Sequence, residues 1–472
     1  MRNRVIVLEF NELTPSLMDR FIGEGRLPNF ARLREESHAY VTDAEEQPPN
    51  LEPWIQWVTV HTGLSFKQHG IFDLGDGHKL GFPSLWDVAC AAGKKVWICG
   101  SMNAGAQPPV NGFVLPDPWS TGIEAHPSHE FDAYMKLVRR YVQEYTRDRV
   151  PLSRREYLGF IGFMLRHGLS PRTVAHTVAQ LLGELRGRSK WKRATILDRL
   201  QWDVFCRYYK KHDVDFATFF VNSTAHFQHF YWRNMDPARF TVKPTEQDQQ
   251  RYADAILFGY RQMDEIVGEC IKLAGRDATI VLATALSQQP FLTYESTQGK
   301  RFYRPRDFRR LMELAGVPGD ARHAPVMSEQ FHVYFDNEDD AVRAESCLKG
   351  WRVGDREAMM VRRNGTELFA GCCVFAELPR DARLVSASDG KEFGFYDLFY
   401  LVDGTKSGAH HPDGIFWVRT PDRSHEVAQG KVSLRQVAPT ILSLLNLQKP
   451  GFMTSDPLPF ATAGQSVPVR SS

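Results

Sequence analysis

Val5-Ile6-Val7-Leu8, running into Glu9-Phe10-Asn11-Glu12, is the stretch on which the fold turns. Four apolar residues, three of them β-branched, followed by polar ones read as a short strand that opens at its end into a polar site. What comes after repeats the alternation: a helical stretch near Pro15 to Leu33, another from Trp54 to Thr62, then the strand-like Lys95-Val96-Trp97-Ile98-Cys99. Strands alternating with helices predict a mostly parallel sheet flanked by helices, an α/β fold.

The pattern resumes later in the chain. Phe216 to Val221 and Ala278 to Ala283 are strand-like, with a long helical pattern from about Tyr252 to Leu273 between them. A third piece, Gly414 to Val418, is followed by a closing helix from Leu434 to Leu445. The sheet domain is therefore expected in three parts, at 1–129, 213–290 and 396–450. Residues 130–212, with helical patterns rich in Arg and Lys, read as a helical cap insertion. Residues 291–395, with a strand at Phe331 to Phe335 and a helix at Asp339 to Leu348, read as a small α+β insertion. The polar tail at 451–472 is expected to fray.

Bulk properties exclude several classes. The 472 residues are 43% hydrophobic and 24% charged with a formal charge of +2, which carries no global nucleic-acid signature. The apolar run at Val5 is too short for an export signal, and the run Tyr157 to Leu165 is too short to cross a bilayer, so a cytoplasmic protein without a transmembrane segment is expected. The basic cap residues, among them Arg139, Arg140, Arg147, Arg149, Arg154, Arg155, Arg186 and Arg188, can cover an anionic substrate, touch acidic lipid, or simply be solvated. Seven scattered cysteines without CxxC spacing read as buried thiols.

In open parallel sheets ligands sit beyond the carboxyl ends of the strands. Those ends here carry Glu9 to Glu12, Asn222 to His229, Thr284 to Gln289 and Ser407 to Asp413, with Asn50 to Trp54 leading into a helix.

Four stretches give the chain a family likeness: Leu13-Thr14-Pro15 with Gly25 to Phe30; His61-Thr62-Gly63 with His69-Gly70-Ile71-Phe72; Gln228-His229-Phe230-Tyr231-Trp232; and His410 to Phe416 with Val437 to Leu442 behind it. In this order they resemble the type I phosphodiesterase and nucleotide pyrophosphatase branch of the alkaline phosphatase superfamily. The resemblance implies a hydrolase or transferase with two divalent metals and a Ser, Thr or modified Cys nucleophile. It also implies ligands at positions that here read Asn11, Ala225, Ala285 and Leu286, while His229 and His410 stand at the family's histidine positions. No Ser, Thr or Cys occurs from Glu45 to Val58, where the nucleophile is expected.

What remains predicts a remodelled site. His229 and His410 can hold one divalent metal, Zn or Mn, with a third donor from His226, His411 or Glu52. Glu52, at a helix start, can serve as general base or carboxylate nucleophile, or as an acid favoured by the helix dipole. Asn11 and His226 complete the catalytic candidates. Gln228, Gln288, Gln289, His411 and Asp413 are the candidates for holding a small anionic, phosphorylated, sulfated or sugar-like substrate. Glu12 reads as a cap for the following helix. His61 and His69 read as shaping the turn behind the site. The alternative is a catalytically inactive relative that binds a ligand or a partner protein.

Overall fold

The computed structural model describes residues 3–120, 122–142, 152–185, 190–317, 321–326, 329–387, 389–402 and 404–462. Of the basic residues singled out above, Arg147, Arg149, Arg186 and Arg188 lie outside these, as does the tail from 463 onward.

The chain runs β1 (Arg4–Phe10), α1 (Pro15–Gly23), α2 (Pro28–Glu35), β2 (His38–Asp43), α3 (Pro53–Thr62), α4 (Phe66–His69), α5 (Leu85–Ala91), β3 (Val96–Cys99) and β4 (Gly112–Leu115). The cap helices follow: α6 (Asp132–Val142), α7 (Arg154–Arg166), α8 (Pro171–Leu185) and α9 (Ala194–His212). Then come β5 (Phe216–Val221), α10 (Ser223–Met235), α11 (Glu246–Tyr252), α12 (Ala255–Ala274), β6 (Ala278–Ala283) and β7 (Ser287–Pro290). Pro15, Pro28 and Pro53 each sit in the first turn of their helices, where a missing N–H costs nothing. The expected single helix from Pro15 to Leu33 is two helices, because Gly25 (φ +67°) ends one and Pro28 starts the next.

Eight strands form the main sheet in the order Glu426–Ser433, β2, Asp413–Arg419, β6, β1, β5, β3, β4. All neighbouring pairs are parallel except those of Asp413–Arg419, which runs antiparallel to both β2 and β6. β1, β5 and β6 are central and almost wholly buried, so the sheet's middle is set by three apolar runs in register.

Two apolar clusters cover the two faces. On one, Ile6, Leu8 and Phe10 pack with α1, α2, α9 and α12; on the other, Val5 and Val7 pack with α3, α5 and Val437–Leu444. Phe160, Phe163, Trp202 and Phe205 from the cap belong to the first cluster, so the cap shares the sheet's core. The α+β insertion has a separate core around Tyr303, Phe331, Trp351 and Leu368, between two four-stranded sheets and the helix Glu338–Lys349.

The tail does not fray at its start. Met453 and Leu458 are buried in the second cluster, and Phe460 stacks on His38 at 4.3 Å between ring centroids. The polar residues between them hide an apolar periodicity too sparse to read.

Candidate metal centre

β1 ends at Phe10, and the Asn11 N–H extends its ladder by donating to the Val221 carbonyl at 3.0 Å. Glu12 then takes a left-handed conformation (φ +62°), which turns its buried side chain under the sheet's carboxyl end. There it meets two histidines. His229 Nε2 lies 3.1 Å and His410 Nε2 3.6 Å from the same carboxylate oxygen, Oε2. One ligand atom from each of the three residues lies within 4.8 Å of the others, and among the described residues this is the one such group.

His229 comes from the second turn of α10, held by a backbone N–H from Ser407 to its carbonyl at 2.7 Å. His410 comes from the strand Gly408–His411, which pairs antiparallel with β7 so that His410 stands opposite Gln288. Both rings are oriented through their other nitrogen. His410 Nδ1 donates to the Leu51 carbonyl at 2.9 Å and His229 Nδ1 to the Gly408 carbonyl at 3.3 Å. In each ring the backbone carbonyl engages Nδ1 and leaves Nε2 directed at Glu12, an orientation that backbone partners also impose on metal-ligating histidines.

Glu12 is held from both sides. The Asn11 amide donates to Oε1 at 2.9 Å and the Gln288 amide to Oε2. Burial opposes its charge, but the two imidazoles and the hydrogen bonds from His229 and Gln288 prevail, bringing its pKa down to about 2. Burial lowers His410 to about 4, with Glu12 opposing. At neutral pH the site thus offers a carboxylate beside an unprotonated imidazole, the protonation states that metal binding requires.

These residues fit a divalent cation. A carboxylate oxygen and two imidazole nitrogens converge on one point. The observed edges of 3.1 and 3.6 Å bracket the separation of about 3.3 Å that ligand bonds of about 2.0–2.1 Å give in a tetrahedral site.

Glu12, expected as a helix cap, is the third residue of this group, of which His226, His411 and Glu52 are not part. α1 needs no side-chain cap from it: Thr14 occupies the cap position and Pro15 starts the helix. His226 sits one turn before His229 but is exposed and packs its ring on Phe230 at 4.9 Å. Glu52 is half-buried, with Oε2 3.4 Å from His410 Nδ1. Burial raises its carboxyl pKa well above the usual range; Lys406 and Lys300 oppose that shift, and Glu12 and Glu329 add to it.

The remaining candidates divide into braces and rim. Asn11 is saturated: besides Glu12 it donates to Asn222 Oδ1 at 2.7 Å, and its Oδ1 accepts from Trp57 Nε1 at 2.8 Å. Gln228, expected to hold substrate, is fully buried, donating to the Glu12 carbonyl and accepting from Thr14 and Tyr260, so that it braces the turn from behind. Gln288 is also buried; its Oε1 has no hydrogen-bond partner. Gln289 is exposed and donates to the His410 carbonyl at 3.2 Å. His411 is partly exposed, and Asp413 is tied to Lys431 at 2.5 Å.

Behind the site, His61 Nε2 is 3.0 Å from Glu9 Oε1, both buried, and His69 accepts from the Ile71 N–H. Ala225, Ala285 and Leu286 are buried apolar residues. Two lysines that the sequence does not single out complete the surroundings. Lys300 and Lys406 meet through a backbone bridge, and Lys406 immediately precedes the Ser407 that holds His229. Only their pairing across the insertion brings them there, and no local motif announces it.

The sequence model of the type I phosphodiesterase / nucleotide pyrophosphatase family matches residues 5–291. A search of curated proteins finds no match. Among solved structures, the chain is similar to phosphonoacetate hydrolase from Sinorhizobium meliloti 1021 at 10% identity, over 94% of this chain and 95% of that one, with a TM-score of 0.43. It is similar to human ectonucleotide pyrophosphatase / phosphodiesterase 5 at 8% identity, over 97% and 98%, with a TM-score of 0.44. It is also similar to the alkaline phosphatase PafA at 12% identity, over 96% and 98%, with a TM-score of 0.45.

Proposed function

The chain belongs to the type I phosphodiesterase / nucleotide pyrophosphatase family, and from that premise we propose that it is a hydrolase or transferase working with one divalent metal, Zn or Mn, instead of two. The observation that carries this reading is the convergence of Glu12, His229 and His410 on one point. When bound there, the cation supplies Lewis acidity to an ester oxygen.

The chain's own residues do the rest. Asn11 and Gln288 hold the Glu12 carboxylate, and the Leu51 and Gly408 carbonyls keep both imidazoles in the ligating tautomer. Glu52, with its raised pKa, stands beside His410 as the group that moves a proton to or from the reacting oxygens. No serine, threonine or cysteine lies in the segment that precedes or starts α3, so attack by water fits better than a covalent nucleophile there. Lys300 and Lys406 bring positive charge to this end of the sheet, which favours a small phosphorylated or sulfated substrate, with Gln289 and His411 at the rim.

A second reading, a ligand-binding relative without turnover, is favoured by the apolar Ala225, Ala285 and Leu286 where the resemblance places ligands. The two separate in one assay. Hydrolysis of an aryl phosphodiester or sulfate ester is expected after the chelator-treated chain is given Zn or Mn, and is expected to vanish in His410→Ala. Metal binding without any turnover would favour the second reading.

A further inference from the structure

Helix α8 is built inside out. Val174, Val178, Leu181, Leu182 and Leu185 form its outer stripe, and Leu185 is 85% exposed. The opposite flank is polar and turned inward: Thr173, His176, Thr177 and Gln180 line a cavity of about 290 Å³ together with Lys192 and the buried Arg199. A surface helix of a globular protein normally does the reverse.

Helix α7 carries a similar outer face. Phe160, Phe163 and Met164 enter the core, while Tyr157, Leu158, Ile161 and Leu165 face out, with Leu158 and Leu165 each 68% exposed. Nine of the fourteen large apolar side chains exposed among the described residues lie on these two successive helices. That concentration marks an interaction surface, since scattered exposed leucines need no explanation and clustered ones do.

Charge selects the partner. From Arg154 to Arg193 the sequence holds nine Lys and Arg against two acids, Glu156 and Glu184. Both acids are already neutralised, Glu156 by Lys136 at 2.9 Å and Glu184 by Arg193 at 2.5 Å. A second copy of the chain would bring two basic collars together, which is repulsive. Helices of 13 and 15 residues fall short of the roughly 20 needed to span a bilayer. They do suit lying in its interface, apolar face down and basic residues among the headgroups.

We propose that α7 and α8 seat the protein on the surface of an anionic lipid bilayer. The leucine faces enter the acyl boundary, and Arg154, Arg155, Arg166 and Lys190 contact headgroup phosphates. The seat is independent of the metal chemistry. It reaches the metal-bearing helix nonetheless, because Trp191, just beyond α8, packs on Phe227 of α10 at 5.4 Å.

Flotation of the full chain with vesicles tests this. Binding is expected to vesicles of phosphatidylcholine with phosphatidylglycerol, weakly or not at all to phosphatidylcholine alone, and to weaken with salt. The triple variant Leu158→Ser, Leu165→Ser, Leu181→Ser should lose at least about tenfold in partitioning while melting like the parent, since all three side chains are exposed. Arg154→Ser with Arg155→Ser should reduce the preference for anionic vesicles. The proposal is overturned if the chain floats with neither vesicle, or if the leucine variant floats as well as the parent. It is also overturned if sedimentation equilibrium finds a dimer that the leucine variant dissociates while flotation is unchanged.

Discussion

The carboxyl end of the sheet and the outer side of α7 and α8 depart from ordinary burial in opposite directions. At the sheet end a carboxylate, two imidazoles and the Gln288 amide are buried or nearly so, each oriented by a named partner. On the cap, leucines and valines face outward with nothing over them among the described residues. Buried polar groups are costly unless satisfied, and clustered exposed apolar groups are tolerated when something else covers them. The difference teaches where each proposal rests: a small ion would be held by polar groups already oriented within the fold, whereas a large surface would cover apolar groups that the fold leaves outside.

Breaking the sheet end should have the largest effect. Glu12→Gln keeps the shape and removes the charge, and is expected to cut ester hydrolysis by about a thousandfold or more, because Lewis-acid stabilisation is worth several kcal/mol. Steady-state kinetics in excess metal reads this out.

Asp198 tests the seam between the two regions, since it lies on α9 and accepts a hydrogen bond from Ser223 at the start of α10. Burial raises its pKa to about 7, against the pull of Ser223 and Arg199. Its folded value lies above its unfolded one, so the fold is favoured below about pH 4 and loses that contribution as the pH climbs toward about 7. Asp198→Asn should flatten this slope, a difference of up to about 3–4 kcal/mol in urea unfolding between the two pH values.

Asn11→Asp restores the residue type that the family resemblance expects, yet it should be harmful here. Its Nδ2 donates to both Glu12 and Asn222, and a carboxylate would face two acceptors instead. Destabilisation of about 2 kcal/mol and about 10- to 100-fold weaker metal binding are expected. A variant that binds a second metal equivalent without loss of stability would break the contrast.

The smallest effect is expected on the cap. Leu165→Ser should change unfolding free energy by less than about 0.5 kcal/mol, whereas Phe163→Ala, two residues away in the core, should cost about 3–5 kcal/mol. Comparable losses would mean that the outer face is held by the fold itself.

Much of this architecture can be read from sequence, for a physical reason in each case. β1, β5 and β6 are continuous apolar runs because both faces are covered. β2 escapes, since His38-Ala39-Tyr40-Val41-Thr42-Asp43 mixes polar and apolar residues without a clear period. His229 and His410 are legible through their motifs. Glu12 is not, because its role depends on a positive φ in a residue before a helix, where an acid reads as a cap. Gln228 misleads in the opposite way: a polar residue beside a motif histidine points behind the site. The stripe on α8 shows that periodicity defines a face and leaves open which side is covered.

The central claim, one metal held by Glu12, His229 and His410, is most directly tested by calorimetric titration of Zn or Mn into the metal-stripped chain. One equivalent is expected to bind in the parent, with binding abolished in Glu12→Gln. Two equivalents in the parent, or equal binding in parent and variant, would contradict it.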